Sequence, residues 1–148
     1  MNYAKKAALF EAVNKIDVQA INSLMKRGIF LRPAPINSTD YKGNTPLMVA
    51  IEKGYNTIVS LLIEKGADVN LANDEKDTPL LFASKQGFTI IAQYLIEHGA
   101  DIKATNKLGE KAITNAAHAE NLDIIRLLIE KGADVNTKDE RGNTPFLI

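Results

Sequence analysis

Apolar positions recur along this chain with the spacing of short helices. Leu47, Ala50 and Ile51 follow one another at i, i+3 and i+4, which places them on one face of a helix. The next segment, NTIVSLLIEK at residues 56–65, is apolar on most of its circumference, and a helix of that kind has to be covered on both sides. The pattern predicts a helix with one buried face, followed by a helix that is buried on both sides.

Proline and glycine mark where these helices begin and end. Pro46 and Pro79 suit a first helical turn, where the missing N–H would have had no partner and the fixed φ is already helical. Gly54 and Gly87 are expected to form the turn between the two helices. A further set of glycines is predicted to end the second helices in a left-handed cap: Gly66, Gly99 and Gly132.

The helical hairpin repeats along the chain. Thr45 and Thr78 are 33 residues apart, and copies of the pattern begin at residues 45, 78, 111 and 144. A weaker copy precedes them at a spacing of 38, carried by Leu9, Ala12, Ile21, Leu24 and Gly28. A short hairpin cannot bury both of its apolar faces alone, whereas stacked hairpins bury them serially. The predicted fold is therefore an all-α solenoid.

Several separated elements of this frame resemble the ankyrin repeat family. They are TPL at residues 45 and 78, the hairpin glycines, IVSLLIEKGADVN, and the similar LLIEKGADVN at residues 127–136, and the period is that of the family. The resemblance covers essentially the whole chain. It implies an α-solenoid of stacked helix-turn-helix ankyrin repeats joined by β-turn finger loops, with a concave surface that binds other proteins.

The repeat frame predicts one array over residues 1–148. Residues 1–39 form a degenerate capping repeat, 40–72, 73–105 and 106–138 are repeats, and 139–148 begin another. Because the sequence stops inside that last copy, we expect either a piece of a longer array or an edge that meets a second copy of the chain. An insertion at 29–40 carries two prolines, which favour a non-helical path; it is either a spacer tucked over the first units or a docking loop.

The repeats depart from the family pattern at several positions. The family's histidine after TPL is absent, so the polar tie that it makes between neighbouring loops is not expected; its positions are occupied by Met48, Leu81, Thr114 and Leu147. Lys111, Ala112 and Ile113 replace TPL, and Glu120 replaces the hairpin glycine, so this hairpin is predicted to be locally less stable. Lys76 occupies the place of Gly43 and Gly109, so the sequence leaves open whether this finger has the standard geometry.

The composition limits the kinds of partner and of site that this chain can have. Lys plus Arg and Asp plus Glu number 18 each, so neither nucleic acid nor an acidic membrane surface is favoured. The absence of cysteine excludes disulfides, thiolate zinc sites and a cysteine nucleophile. No apolar run reaches the roughly 20 residues that span a bilayer. We expect a soluble, cytoplasmic protein.

Few residues have the type and spacing of a catalytic, metal-binding or nucleotide-binding site. His98 and His118 are the two histidines; a helix-terminal cation explains the first, and the second maps to the inner helix, where it is a candidate partner contact. Asp68 and Asn70 echo the start of a calcium loop, but the later ligand positions are not met. No phosphate loop or nucleophile elbow occurs. We predict a non-enzyme with no cofactor and no metal.

Partner contacts are predicted at finger tips and at the exposed edge of the first helices, since these positions do not pack between repeats. Tyr41 and Leu108 are the preferred anchors, being apolar where loops are usually polar. The sequence favours a monomeric scaffold that binds another protein, with self-association through the last edge as a further option; the alternative is a regulatory or targeting module of a larger protein. The complete predicted set is Tyr41, Lys42, Asn44, Glu52, Lys53, Asp74, Glu75, Asp77, Lys85, Gln86, Lys107, Leu108, Glu110, His118, Glu140, Arg141 and Asn143.

Overall fold

The computed structural model describes residues 3–26 and 33–145. Every regular element in this part of the chain is an α-helix, as predicted. The helices are α1 (Tyr3–Asn14), α2 (Val18–Leu24), α3 (Pro46–Glu52), α4 (Asn56–Glu64), α5 (Pro79–Gln86), α6 (Thr89–Glu97), α7 (Ala112–His118) and α8 (Leu122–Glu130).

The chain forms two compact units, Met1–Asp68 and Val69–Ile148. The first unit contains the hairpins α1–α2 and α3–α4, and α1 packs against α3. The second unit contains the hairpins α5–α6 and α7–α8, with α5 against α7 and α6 against α8. In each unit, therefore, the first helices of successive hairpins pack on one another, as a stack of repeats requires.

The Thr-Pro pairs start the first helices as predicted. Thr45 and Thr78 are the N-caps of α3 and α5, and their hydroxyls accept hydrogen bonds from the backbone N–H groups three residues on, at 3.3 and 3.4 Å. The prolines that follow are the first helical residues. Each pair thus supplies both a side-chain cap and a residue that needs no N–H partner.

The buried side chains of the core recur at matching positions of successive hairpins. An alanine recurs at the same position of each described hairpin and is at most 4% exposed: Ala12, Ala50, Ala83 and Ala116. Helix α4 buries Ile58, Val59, Leu62 and Ile63, whose spacing of i, i+1, i+4 and i+5 puts them on one side of the helix, while Leu61 is only half-buried. The prediction that this helix is buried on both sides is therefore wrong. The positions of the missing family histidine are also buried, at 0% exposure for Met48 and Thr114 and 1% for Leu81.

The turn between the two helices of each hairpin has the same backbone conformation whether or not glycine is present. Gly54 and Gly87 have φ of 69° and 73° as predicted, while Ile16 and Glu120, at the matching positions, have φ of 56° and 54°. A non-glycine residue in this region costs roughly 1 kcal/mol. The helix-ending glycines also have the expected positive φ: Gly66, Gly99 and Gly132.

Local hydrogen bonds replace the missing start signal of the third full hairpin. Helix α7 begins at Ala112 although TPL is absent. The Thr114 hydroxyl accepts from the Lys111 N–H and donates to the Lys111 carbonyl, both at 2.8 Å. At the turn, the Asn121 side chain accepts from the Ile124 N–H at 2.9 Å and so caps α8. These bonds offset part of what the sequence of this hairpin lacks.

We still expect residues 112–121 to exchange amide hydrogens faster than residues 46–55. The strained φ of Glu120 and the lack of a side-chain acceptor on Lys111 both lower the local opening free energy. Native-state hydrogen exchange read by mass spectrometry checks this. Equal protection of the two hairpins would show that the bonds of Thr114 and Asn121 compensate fully.

The insertion is non-helical over residues 33–40, as the prolines predicted. Ala34 is buried and its N–H donates to the Leu24 carbonyl at 2.8 Å, while the Asn37 side chain accepts from the Asp68 N–H at 2.9 Å. These contacts anchor its second half to the first unit. The predictions made for Gly28, for residues 29–32 and for Leu147 and the chain end at residues 146–148 lie outside the described residues.

Candidate functional site

Each predicted finger is a tight turn whose first residue is an aspartate or asparagine, and the side-chain oxygen of that residue accepts hydrogen bonds from backbone N–H groups of the same turn. In the turn at residues 106–110, the Asn106 side-chain oxygen accepts from the N–H groups of Leu108 and Glu110, both at 3.0 Å. The same pair of bonds is made by the first residue of every described finger: Asp40, Asn73, Asn106 and Asp139. These residues are absent from the predicted set, although an Asx residue every 33 positions at the start of a turn is a signal in the sequence itself.

The finger that carries Lys76 in place of a glycine has the standard geometry. Lys76 has φ of 61°, in the same left-handed region as Gly43 and Gly109. Its N–H donates to the Asn73 carbonyl at 2.9 Å, as the Gly109 N–H does to the Asn106 carbonyl at 3.1 Å. The finger keeps its standard geometry because the Asn73 side chain and the backbone bonds hold the turn, and they tolerate the unfavourable conformation of one residue.

Asn106 also connects two fingers of the second unit. It is 8% exposed, and its amide nitrogen donates to the Asp77 and Glu110 carboxylates, each at 2.8 Å. These contacts and the two that close the turn all use one buried side chain. The amide, rather than a carboxylate, is required at this point because a donor has to face two acidic side chains.

Backbone hydrogen bonds link successive finger tips in the second unit. The Lys107 N–H donates to the Glu75 carbonyl at 3.0 Å, and the Glu140 N–H donates to the Leu108 carbonyl at 3.3 Å. The Lys107 ammonium lies 3.5 Å from the Glu75 carboxylate, with both side chains more than half exposed, so this ion pair adds little. The three fingers form a row whose spacing is set by backbone bonds.

Most predicted contact residues lie on the surface. In the second unit, the exposed members are Asp74, Glu75, Lys85, Gln86, Lys107, Leu108, His118, Glu140 and Arg141. In the first unit they are Tyr41, Lys42, Glu52 and Lys53. Tyr41 is 87% exposed and Leu108 55%, and the Lys42 ammonium lies 5.5 Å from the Tyr41 ring centre. Both proposed anchors are accessible to a partner.

The remaining predicted residues belong to the base of the fingers. Asp77, Glu110 and Asn143 are half-buried, and their backbone groups close the turns. Asn44 is only 7% exposed, so little of it is accessible to a partner. These four residues shape the finger more than they present a surface.

His118 at the end of α7 meets the last described finger. Its Nε2 lies 3.8 Å from a carboxylate oxygen of Asp139, whose side chain is 5% exposed. The backbone N–H of Asn143 is the main cause that lowers the pKa of Asp139, and the Asn143 amide, the Arg141 N–H and His118 lower it further. The arrangement favours the ionised form of Asp139 and connects α7 to the first residue of the finger at 139–143.

We expect Asp139→Asn to make the melting temperature depend less on pH in the acid range. Because the pKa of Asp139 is lower in the folded chain, its contribution is fully present above the ordinary value of 3.8 and is lost as pH falls through the folded value. The wild-type melting temperature should therefore fall more steeply below about pH 4 than that of the variant. Asparagine fits because Asn73 and Asn106 occupy the same position in other fingers. Parallel pH profiles would contradict this.

Two further sequence predictions concern metal ligands and His98 in the part of the chain that the structure describes. There, no three His, Asp or Glu side chains are grouped so that they could hold a metal ion. His98 is exposed, its Nδ1 is 2.8 Å from the Tyr94 carbonyl, and its ring lies 4.1 Å from that of Tyr94. Across residues 3–26 and 33–145, no helix has the length and apolar character to cross a bilayer.

Two curated proteins illustrate what the chain is similar to. It is 41% identical over 68 residues to protein phosphatase 1 regulatory subunit 27 of Mus musculus, a match covering 46% of this chain and 41% of that protein. It is 37% identical over 70 residues to the mitochondrial disaggregase of Homo sapiens, covering 47% of this chain and 9% of that protein. The chain thus matches less than half the length of either relative.

Family comparison agrees with the hairpins and fingers described above. A model described as ankyrin repeats in three copies matches residues 66–139, half of the 148-residue chain. A second, described as ankyrin repeats in many copies, matches residues 31–83. With its helix-turn-helix units and closed fingers, the chain belongs to the ankyrin repeat family.

Proposed function

We propose that this chain is a non-catalytic scaffold that binds a partner protein through its finger tips and the exposed ends of its first helices. Ankyrin repeats imply protein–protein interaction. The observation that carries the proposal here is the row of fingers in the second unit. Their tips are exposed, while buried Asn106 and the backbone bonds of Lys107 and Glu140 hold them in place. Affinity capture on the full chain identifies the partner.

Rigid presentation explains how such a surface binds. Each tip is closed by two backbone N–H groups that donate to the side-chain oxygen of its own Asx residue, so little loop ordering is left to occur on association. Apolar anchors supply most of the affinity in typical interfaces, with charged residues at the rim. Leu108 and Tyr41 have that anchor character, and Asp74, Glu75, Lys107, Glu140 and Arg141 provide the charged surroundings in the second unit.

The alternative is that the repeats regulate or target a larger protein. One similar protein is a phosphatase regulatory subunit, and another is a disaggregase of which the match covers only 9%. The same surface would then bind a catalytic subunit or a second domain. We propose a monomer in either case, and light scattering over a dilution series tests this, since a mass that rises with concentration would contradict it.

Tyr41→Ala and Leu108→Ala should each weaken partner binding by about 1–3 kcal/mol, because each removes an apolar anchor. Isothermal titration with the partner recovered by affinity capture measures the loss. Tyr3→Ala is the matched control, since Tyr3 is 67% exposed but lies on α1 rather than on a finger. Unchanged affinity in both finger variants, with melting temperatures also unchanged, would reject these anchors.

A further inference from the structure

An asparagine side chain links the turns of successive hairpins at a spacing of 31 residues. In the first unit, the Asn37 side chain accepts from the Asp68 N–H at 2.9 Å. In the second unit, the Asn70 oxygen accepts from the Asp101 N–H at 2.8 Å, and its amide nitrogen donates to the Gly99 carbonyl at 3.0 Å. The single carboxamide of Asn70 therefore binds both a backbone donor and a backbone acceptor of the next turn.

The chain has a lysine at the next position of this series. Lys103 follows Asn70 by 33 residues, and the matching backbone groups of the next turn are the Asp134 N–H and the Gly132 carbonyl. An ammonium group has donors but no acceptor, so it cannot receive the Asp134 N–H. Among the described residues, neither the Asp134 N–H nor the Gly132 carbonyl has a hydrogen-bond partner.

The two turns have the same backbone geometry. The glycine that precedes the aspartate has φ of 90° at Gly99 and 92° at Gly132. The side chains of Asp101 and Asp134 each accept from the N–H group two residues further on, at 2.9 Å in both turns. Their carbonyls accept from the N–H group three residues further on, at 3.4 and 3.3 Å. The donor and the acceptor that Asn70 binds in one turn are thus presented in the same way by the other.

A small polar cavity lies at the second of these turns. Its volume is about 320 Å³, and its lining includes Lys103, Lys111, Gly132, Asp134 and Thr137. Thr137 is 7% exposed, and its hydroxyl has no hydrogen-bond partner in the part of the chain that the structure describes. Gly132 and Asp134 are exposed, so a group from outside the chain can reach them.

The hydrogen-bonding groups of the cavity select its occupant more sharply than its charges do. Lys103 and Lys111 line the cavity together with Asp134, so basic and acidic groups are both present. A carboxylate can pair with the lysines, but it has no hydrogen to donate to the Gly132 carbonyl. An ammonium group can donate to that carbonyl, but it cannot accept from the Asp134 N–H. A neutral carboxamide does both, as Asn70 does in the preceding turn.

We propose that the Asp134 N–H, the Gly132 carbonyl and the Thr137 hydroxyl bind the carboxamide of an asparagine or glutamine side chain of a partner protein. We call these three groups the carboxamide site. The amide oxygen accepts from the Asp134 N–H and the amide nitrogen donates to the Gly132 carbonyl, in the arrangement that Asn70 makes one turn earlier. That the carboxamide belongs to a protein rests on the proposed function, whereas its chemistry rests on the turn itself.

The variant Lys103→Asn tests the geometry of the carboxamide site without a partner. Its new side chain should fill the site as Asn70 does in the preceding turn, so the melting temperature should rise by roughly 2–4 °C. The converse variant Asn70→Lys should lower the melting temperature by a similar amount, because it removes the link that exists there. Differential scanning calorimetry measures both. An unchanged or lower melting temperature for Lys103→Asn would overturn the assignment of the site.

Short peptides selected by phage display test whether the site binds a partner. The library is first depleted on the Lys103→Asn variant, in which the site is filled, and then selected on the full wild-type chain. We expect the selected peptides to share an asparagine or glutamine, and its replacement by aspartate or glutamate to weaken binding roughly tenfold. Fluorescence anisotropy measures the affinities. In NMR spectra, the Asp134 amide signal should shift on binding, while the Asp101 signal should not.

A finger variant separates this site from the proposed finger surface. Leu108→Ala changes only a finger tip and should leave these peptides bound, so failure of the proposed function and failure of the carboxamide site are distinguishable. Binding of the peptides that is lost in Leu108→Ala would overturn the proposal. Selected peptides with no shared asparagine or glutamine, or a shift of the Asp101 signal in place of the Asp134 signal, would also overturn it.

Discussion

Replacing Leu62 with alanine should lower the free energy of unfolding by about 2–5 kcal/mol. Leu62 is 0% exposed on α4, which packs against α3 in the first unit. The substitution removes apolar contacts and leaves a cavity that short, closely packed helices cannot easily close. Urea unfolding followed by circular dichroism measures the loss.

Leu61→Ala is the matched control for this prediction. Leu61 precedes Leu62 on the same helix but is half-buried, so the same chemical change should cost only about 1 kcal/mol. Equal losses in the two variants would mean that helix formation, rather than burial, sets the stability of α4. A loss below about 1 kcal/mol for Leu62→Ala would contradict the buried position described here.

Asn106→Ala should lower the free energy of unfolding by about 2–4 kcal/mol, through its hydrogen bonds. It leaves the N–H groups of Leu108 and Glu110 without their side-chain acceptor, and it removes the donor that faces the Asp77 and Glu110 carboxylates. The finger row should loosen as well, so partner affinity should fall even though Asn106 is only 8% exposed.

Asn106→Asp separates the two roles of this side chain. A carboxylate still accepts from the two backbone N–H groups, as Asp40 and Asp139 do in their own fingers. It cannot donate, and it would place a third carboxylate beside Asp77 and Glu110. We therefore expect a loss of stability near neutral pH that shrinks in acid. A variant as stable as wild type at neutral pH would show that the bond between fingers contributes little.

Much of the fold could be predicted from local signals in the sequence. The Thr-Pro pairs, the helix-ending glycines and the apolar spacing predicted α3 to α6 because each signal acts within one helix or turn. The hairpin α7–α8 could be predicted only from the regular spacing of the repeats, because Lys111 and Glu120 stand where the other hairpins have a helix-starting threonine and a turn glycine. For the candidate site, the sequence indicated the exposed tips at Tyr41 and Leu108, but not that Asn44 is buried.

The sequence by itself determined the repeat, the positions of its helices and the residues of its core, because these depend on spacing and on local conformational preference. Only the tertiary structure decided the left-handed backbone of Ile16, Lys76 and Glu120 and the contact of Asn106 with Asp77. A turn held by packed helices on both sides and by several hydrogen bonds keeps its shape against a local preference of roughly 1 kcal/mol. Bonds between residues 29 positions apart form only after the hairpins have stacked.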